Sequence, residues 1–518
     1  MGWVFLSGPM GAGKSTVGPR VAEALGQGFL DLDARLAAYV GQDAGAFLAA
    51  EGEAAFRRVE AEVLSAELET APKVVALGGG TVTQGALRRR LLREGTLVTL
   101  RAPLAVLLAR VGDGAGRPLL AGDAAGRARA LLDARAGAYA EAHGVVDASA
   151  EPAKVTEAVL AVVRDAPVPV ALGRRSYRVE IGHGIRARLA ERVRGRSSLV
   201  VADDNTAPWA RAADTGAGPR VDVTLRPGEE HKDVHAVGRI WDAALGAGLD
   251  RSALVVAVGG GVVGDLAGFA AATLLRGVAF AQVPTSLLAM VDSSVGGKTG
   301  FDRPEGKNLV GAFHQPDFVL CDIETLSTLP EVERIAGLAE VVKSAWLDSE
   351  EAVAALERDA HALRAGDPEA VLGAVRRSVA LKARVVAEDE EETGRRRVLN
   401  LGHTVGHALE AALGYGALRH GEAVSLGLVA AARLGERQGT LRSPDRARLT
   451  ALLDALGLPT ALDEALARGG EAVWRFAASD KKRSTGGTVA FIVPGAPGHV
   501  EVAPLALREL PELVAPLR

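Results

Sequence analysis

Apolar residues follow two rhythms along this chain. Short uninterrupted runs at 3–6, 74–77 and 96–100 alternate with stretches at 16–25, 53–69 and 103–111 whose apolar positions recur at helical spacing. The runs predict buried parallel strands, and the interleaved stretches predict the helices that cover both faces of their sheet. The rhythm fades over 152–169, where Asp165-Ala166-Pro167-Val168-Pro169 brings two prolines together and predicts a junction near residue 166. A second α/β pattern follows, with strands expected at 197–202, 254–258, 278–283 and 318–321. From about residue 326 the spacing turns helical, at 334–347, 368–386, 403–413 and 422–433, and a late pair of β runs stands at 488–493 and 499–502. No internal repeat relates the halves. The expected organisation is an α/β unit over 1–165, a second α/β half over 166–325 and a helical half over 326–518.

Composition narrows the classes. The 518 residues suit about three domains. A share of 48% hydrophobic residues is ample for folded cores and excludes wholesale disorder. A net charge of −4 argues against a nucleic-acid coat or a polybasic membrane binder, so neither partner is expected. The single cysteine, Cys321, removes disulfide frameworks, Cys-ligated zinc and iron–sulfur clusters together; any metal must be held by His, Asp or Glu. Residues 2–7 read as a strand, without the basic region or cleavage site of a targeting segment. No uncharged apolar run approaches the ~18 residues of a spanning helix. The expected location is the cytoplasm.

Gly8-Pro9-Met10-Gly11-Ala12-Gly13-Lys14-Ser15-Thr16 fits GxxxxGK[ST] between an expected strand and an expected helix. Its glycines let backbone N–H groups face phosphates, and the helix N-terminus adds partial positive charge. Gly11, Ala12, Gly13, Lys14, Ser15 and Thr16 are therefore the expected ATP contacts, with Lys14 bridging the outer phosphates and Ser15 on Mg²⁺. Asp31-Leu32-Asp33 sits at a strand end, Gly52-Glu53-Ala54-Ala55-Phe56-Arg57-Arg58-Val59-Glu60 opens a helix, and Gly78-Gly79-Gly80 follows a strand. Arg117-Pro118-Leu119-Leu120 lies in a Gly-rich, lid-like stretch, and Arg135 on a later helix. Singly these are helix caps and solvated arginines. Together they supply carboxylates for hydroxyls and metal-bound water, arginines for an anionic acceptor, and one arginine for the transferring phosphate.

In this order the motifs resemble shikimate kinase over about the first 165 residues. The resemblance implies a P-loop kinase fold in which Asp33, Arg57, Gly79 and Arg135 hold shikimate. Asp33 would take or orient a hydroxyl proton, Arg57 and Arg135 would pair the carboxylate, and Arg117 would close over ATP. Lys14, Asp33 and Arg117 are then the catalytic set.

Gly259-Gly260-Gly261-Val262-Val263-Gly264-Asp265 lets backbone approach a pyrophosphate, although a tight turn packing strand on helix explains it equally. His403-Thr404-Val405-Gly406-His407 puts two histidines on one helix face, without the general-base Glu of a zincin. With Glu340 and His420 they make four candidates of the type zinc accepts, of which a catalytic site uses three. Lys298 and Lys307 stand among glycines and small residues, in segments that read as loops or helix ends where a compact anion could enter.

This region resembles 3-dehydroquinate synthase over about residues 168–518. The matching segments include Pro-Gly-Glu-Glu-His-Lys at 227–232, GGGVVGD at 259–265, VDSSVGGKTG at 291–300, AEVVK at 339–343, LNLGHTVGH at 399–407, HGEAV at 420–424 and Asp-Lys-Lys at 480–482. The resemblance implies Glu340, His403 and His420 as ligands of Zn²⁺ or Co²⁺. It puts NAD⁺ against Pro227, Gly228, Glu229, Glu230, His231, Lys232, Gly261, Val262, Val263, Gly264, Asp265, Thr285, Ser286, Lys298, Lys307, Thr325, Leu326, Ser327 and Thr328. It puts the substrate against Asp292, Lys298, Asn308, Lys343, Lys382, Glu392, Arg396, Asn400, His407 and one of Lys481 and Lys482. Lys343, Lys382, Arg396 and His407 are its catalytic candidates. Arg276 would reach a neighbouring subunit's site, which requires a homodimer.

The implied fold is a P-loop kinase domain fused to a synthase-like unit with an α/β nucleotide-binding half and a helical metal-binding half. The implied chemistry is ATP-dependent phosphorylation of shikimate at its 3-hydroxyl. It is joined to conversion of 3-deoxy-D-arabino-heptulosonate 7-phosphate to 3-dehydroquinate with loss of phosphate, both in chorismate biosynthesis. A carboxylate and a phosphate on one substrate account for several Lys and Arg. Two other readings remain: a different sugar-phosphate cyclase or metal-dependent alcohol dehydrogenase in the C-terminal half, and a nucleotide-gated binding protein that has lost one catalysis.

Overall fold

The computed structural model describes residues 2–111, 123–414, 416–479 and 488–516. Its backbone divides into two compact units, Met1–Arg178 and Val179–Arg518.

In the first unit, strands β1 (Trp3–Ser7), β2 (Gly28–Asp31), β3 (Lys73–Ala76), β4 (Gly95–Arg101) and β5 (Gly144–Asp147) form a parallel sheet in the order β2-β3-β1-β4-β5. Every residue of β1 is buried. Val4 and Leu6 join one core with Val74, Val98 and Val159, while Trp3 and Phe5 join the opposite one with Leu64, Val75 and Leu97. A strand covered on both faces has to be apolar without alternation. Helix α1 (Lys14–Leu25) starts where the glycine loop ends, with Gly13 at φ 89° before it. Helix α2 (Leu32–Val40) is capped by the Asp31 carboxylate, which accepts from the backbone N–H of Asp33 and Ala34. Helix α3 (Ala44–Leu68) is broken at Gly52 (φ 81°, ψ 168°), so the helix expected over 53–69 is the second limb of a longer, bent element. Helix α4 (Ala124–Ala140) follows β4 in the chain.

In the second unit, β6 (Ser198–Asp203), β7 (Arg220–Leu225), β8 (Leu254–Gly259), β9 (Ala279–Pro284) and, after the hairpin of β10 (Lys298–Arg303) and β11 (Gly306–Phe313), β12 (Phe318–Asp322) are parallel neighbours in the order β12-β9-β8-β6-β7. Both faces are again buried, with Leu199, Val201, Val255 and Ala257 on one side and Val200, Ala202, Leu254 and Val256 on the other. Helix α5 (Gly261–Thr273) leaves the glycine turn after β8. The loops or helix ends expected around Lys298 and Lys307 are instead this antiparallel hairpin, in which Lys298 opposes Phe313.

The helical half holds α6 (Glu331–Asp348), α7 (Glu350–Ala365), α8 (Pro368–Glu388), α9 (His403–Leu413) and α10 (His420–Gln438), followed by the hairpin of β13 (Thr488–Pro494) and β14 (Val500–Ala506). Helix α6 is buried without interruption from Ala336 to Leu347, which takes Glu340 and Lys343 inside with it. Helices α9 and α10 meet backbone to backbone. A Cβ at Gly427 would stand 1.8 Å from the Gly402 carbonyl oxygen, and one at Gly421 would stand 1.8 Å from that of Ala336. These approaches gather the first residues of α9 and α10, His403 and His420, against α6. Among the described residues no helix is long and apolar enough to cross a membrane.

Candidate functional site

In the first unit the segments after β1, β2 and β3 leave the same end of the sheet, where ligands of open parallel sheets bind. Lys14 Nζ donates to the carbonyl oxygens of Gly8 (2.8 Å) and Pro9 (3.1 Å), folding the ammonium over its own loop. Ser15 Oγ donates to Asp31 Oδ2 at 2.6 Å. A hydroxyl beside a carboxylate is the kind of oxygen pair a hard divalent cation takes.

The three-glycine turn organises the rest. Arg135 Nη1 and Tyr139 Oη on α4 both donate to the Gly79 carbonyl oxygen, at 3.1 and 2.5 Å. A Cβ at Gly80 would lie 2.0 Å from Arg57 Nη2 and would displace that guanidinium, and one at Gly78 would lie 3.0 Å from Asp33 Oδ1. Asp33, Arg57, Gly79 and Arg135 thus surround one turn.

Arg57 donates to Glu60 Oε2 (2.8 Å) and Glu53 Oε1 (3.3 Å). Burial holds the Glu60 carboxyl above the usual range, against the pull of Arg57 and a hydrogen bond from Thr81. Glu53 Oε1 also lies 3.9 Å from Arg135 Nη2, so one carboxylate meets both arginines and shows that the pair can receive one. Glu53 and Glu60 are legible in the GExxFRxxE spacing; Tyr139 carries no signal beyond standing one turn after Arg135. Arg117 lies outside the described residues.

In the second unit Glu340, His403 and His420 each offer a ligand atom within 4.8 Å of the others. Glu340 Oε1 is 3.6 Å from His403 Nε2 and 3.8 Å from His420 Nε2. His403 Nδ1 lies 3.2 Å from the Leu401 carbonyl oxygen, which favours the tautomer that leaves Nε2 for a ligand. Neither oxygen of the buried Glu340 carboxylate accepts a hydrogen bond, although Lys343 one turn on is in ion-pair contact with it. Lys343 answers the charge through Oε2, and Oε1 is left facing the two histidines, where a shared cation would satisfy it. Two imidazole nitrogens and one carboxylate oxygen fit a zinc-type ion with an open position.

His407 is exposed, with its ring 5.1 Å from that of His403 and 5.8 Å from that of His420. It belongs to a second, overlapping group with Glu410 and His420. Glu410 Oε2 is 3.6 Å from His420 Nδ1, so His420 faces Glu340 through one nitrogen and Glu410 through the other. Sequence reasoning missed Glu410, whose one signal is its place on α9 three residues after His407.

The cations crowd beside this group. Lys382 Nζ donates to Asp292 Oδ1 (2.5 Å) and to the Asp292 carbonyl oxygen (2.7 Å). Burial alone would raise the Asp292 carboxyl; Lys382 and Lys343 more than reverse it and hold it far below the usual range. Burial, with Arg396 and Lys382 nearby, brings the Lys298 ammonium down to about 8, and burial lowers Lys382 as well. Lys382 is buried while Lys298 opens to solvent, and an incoming anion would relieve the repulsion between these cations. Lys298 is in ion-pair contact with Glu392, which accepts from Asn400 Nδ2 at 2.7 Å. Arg396 is buried and donates to the Gly296 carbonyl oxygen at 3.0 Å.

The residues expected at the dinucleotide fall into several places. Lys232 is buried and donates to Asp265 Oδ2 and Asn308 Oδ1, both at 2.7 Å. With its oxygen engaged, the Asn308 amide has N–H groups left to present to an anion. Burial pushes the Asp265 carboxyl up to about 6 against the pull of Lys232. Lys307 is 3.6 Å from Glu410 Oε1 and 3.9 Å from Glu229 Oε1, which stands with Glu230 and His231 in the short turn after Pro227 and Gly228.

Gly261, Val262, Val263 and Gly264 form the first turn of α5. Thr285 is buried, and Ser286 Oγ accepts from the Ala289 N–H. Over Thr325, Leu326, Ser327 and Thr328 the hydroxyls donate to backbone carbonyls of their own turn, and Thr328 also accepts from Trp209. Arg276 is exposed after α5 at φ 65°. Lys481 and Lys482 lie outside the described residues.

Comparison with known proteins follows the same division. A family model described as shikimate kinase matches residues 10–164. Models described as 3-dehydroquinate synthase, N-terminal and C-terminal, match 222–336 and 337–483. The chain is 46% identical over 349 residues to the 3-dehydroquinate synthase of Caulobacter vibrioides, covering 65% of this chain and 94% of that protein. Among solved structures it resembles ValA, a 2-epi-5-epi-valiolone synthase from Streptomyces hygroscopicus with NAD⁺ and Zn²⁺ bound, at 26% identity and TM-score 0.61 over 66% of this chain and 97% of that one. It shares its fold with a 2-deoxy-scyllo-inosose synthase complexed with carbaglucose-6-phosphate, NAD⁺ and Co²⁺, at 24% identity and TM-score 0.60 over 67% of this chain and 99% of that one.

Proposed function

Since the chain belongs to the 3-dehydroquinate synthase family and carries a shikimate kinase domain ahead of that unit, we propose that one polypeptide performs both reactions with the residues assembled above. We assign the kinase to residues 1–165, the nucleotide half of the synthase to 166–325 and its metal half to 326–518.

In the kinase, Gly11 to Thr16 cradle the ATP phosphates, and Ser15 with Asp31 holds Mg²⁺. Arg57 and Arg135 clamp the carboxylate of shikimate, fixing the acceptor so that Asp33 meets the hydroxyl to be phosphorylated. Asp33 takes or orients that proton, and Arg117 closes over the phosphates.

In the synthase, Glu340, His403 and His420 hold a Zn²⁺-type ion, and NAD⁺ lies along the α5 turn and the Lys232–Asp265 pair. When bound, the ion polarises the alcohol to be oxidised and NAD⁺ takes and returns the hydride. The remaining residues orient an acid that carries two charged groups. Lys298, Arg396 and the Asn308 amide face anionic oxygens, Lys382 fixes Asp292, and His407 stands at the open side where phosphate leaves. Arg276 serves the neighbouring subunit's site in a homodimer.

The observation that carries this reading is the buried Glu340 carboxylate, which pairs Lys343 through Oε2 and turns Oε1, without a hydrogen bond, toward Nε2 of His403 and His420 at 3.6 and 3.8 Å. The likeness to ValA supports a second reading, a different cyclic product from the synthase unit. The test offers full-length protein each substrate set separately and identifies products by mass. Shikimate 3-phosphate from ATP and shikimate, and chelator-sensitive 3-dehydroquinate with phosphate release from the heptulosonate phosphate, are expected. Another cyclic product establishes the second reading; synthase turnover unchanged after full metal removal sinks the metal assignment.

A further inference from the structure

Gly79 and Arg135 have parts in the kinase reading, but their neighbour Tyr139 has none. Tyr139 follows Arg135 by one turn of α4, so both side chains project toward the same face. Its hydroxyl donates to the Gly79 carbonyl oxygen at 2.5 Å, and Arg135 Nη1 donates to the same atom at 3.1 Å. A carbonyl oxygen has two lone pairs, and these donors fill both. Tyr139 is 8% exposed, and it lines one cavity with Pro9, Met10 and Arg135. Burial raises the phenol further from ionisation, so it stays a donor across the working pH range. The outer nitrogen of Arg135, Nη2, points the other way, 3.9 Å from the Glu53 carboxylate.

On the kinase reading above, we propose that Tyr139 is a positioning residue for the acceptor. It pins the Gly79 carbonyl so that Arg135 spends one nitrogen on the protein and keeps the rest of its planar fork for the substrate carboxylate. Without the phenol hydroxyl, the carbonyl has a single donor and draws the guanidinium toward itself, out of the bidentate arrangement. The saturated carbonyl also accepts nothing from the acceptor's hydroxyls, which leaves their recognition to Asp33.

The test is steady-state kinetics of full-length Tyr139→Phe, after wild-type protein has been shown to phosphorylate shikimate; a wild type that does not do so refutes the kinase reading itself. The KM for shikimate should rise about tenfold, the loss expected for one hydrogen bond in a charged network, with the KM for ATP and the synthase rate held within about twofold. In an Arg135→Ala background the same substitution should change the shikimate KM by less than about twofold, because the positioned group is gone. An unchanged shikimate KM, an equal rise in both KM values, or full additivity with Arg135→Ala would each overturn the proposal. A lowered melting temperature with no KM change marks a purely structural tyrosine and overturns it too.

Discussion

The two candidate sites differ in how deeply they hold their charged pairs. Around the Gly79 turn Arg57 meets Glu60 and Glu53, and Arg135 shares Glu53, an acid open to solvent. Beside α6 the pairs go inside: Lys343 is buried with Glu340, Lys382 is buried against Asp292, and Lys298, in contact with Glu392, is brought down to about 8 by desolvation and the cations near it. An exposed acid is easily exchanged for the carboxylate of an acceptor. Buried pairs are costly to disturb, so the second site depends more on what binds to rebalance them.

The largest expected effect breaks the comparison at its ends. Lys14→Ala should abolish shikimate phosphorylation and leave the synthase rate intact. Glu340→Gln should strip bound metal, read by elemental analysis, and lower the synthase rate by at least about 10³-fold with the kinase unchanged. Loss of both activities in either variant would mean that the units do not work independently.

A smaller effect concerns stability in acid. His143 in the first unit is half-buried, and its Nδ1 accepts from the Leu97 backbone N–H. Burial, with Arg178 nearby, brings its imidazole down to about 4. Below the unfolded value of ~6.5 the unfolded chain takes a proton that the folded chain refuses, so stability falls as pH drops toward 4 and levels off below it. The loss should approach about 3 kcal/mol, read by calorimetry as an acid shift of the kinase transition that His143→Gln flattens. A transition insensitive to pH between ~6.5 and ~4 would refute the burial argument.

The smallest sharpens the second site alone. Glu410→Gln should weaken metal affinity by about tenfold to a hundredfold in chelator competition, because His420 loses the carboxylate facing its second nitrogen. Unchanged affinity would make the 3.6 Å approach of Glu410 to His420 incidental.

Both units were legible as α/β patterns because strands buried on two faces leave unbroken apolar runs, as β1 and β8 do. The expected ligand positions were legible where chemistry is packed into contiguous segments, as in the phosphate loop and the 403–407 pair. The hairpin of β10 and β11 was not. Its facing glycines, Gly300 and Gly311, come too close for side chains and erase the alternation that marks a strand. Glu410 and Tyr139 escaped for another reason. Each matters through a partner far away or around a helix turn, Lys307 and His420 for one and the Gly79 carbonyl for the other, and a single acid or tyrosine on a helix has no spacing to betray it.

The contact of Gly427 with the Gly402 carbonyl ties the metal half to its main chain. Two backbones pressed together act as a gauge block, setting how far apart His403 and His420 begin their helices. One added methyl there would meet main chain at 1.8 Å and force the two helices apart, so the placing of both imidazoles depends on a position that never touches an ion.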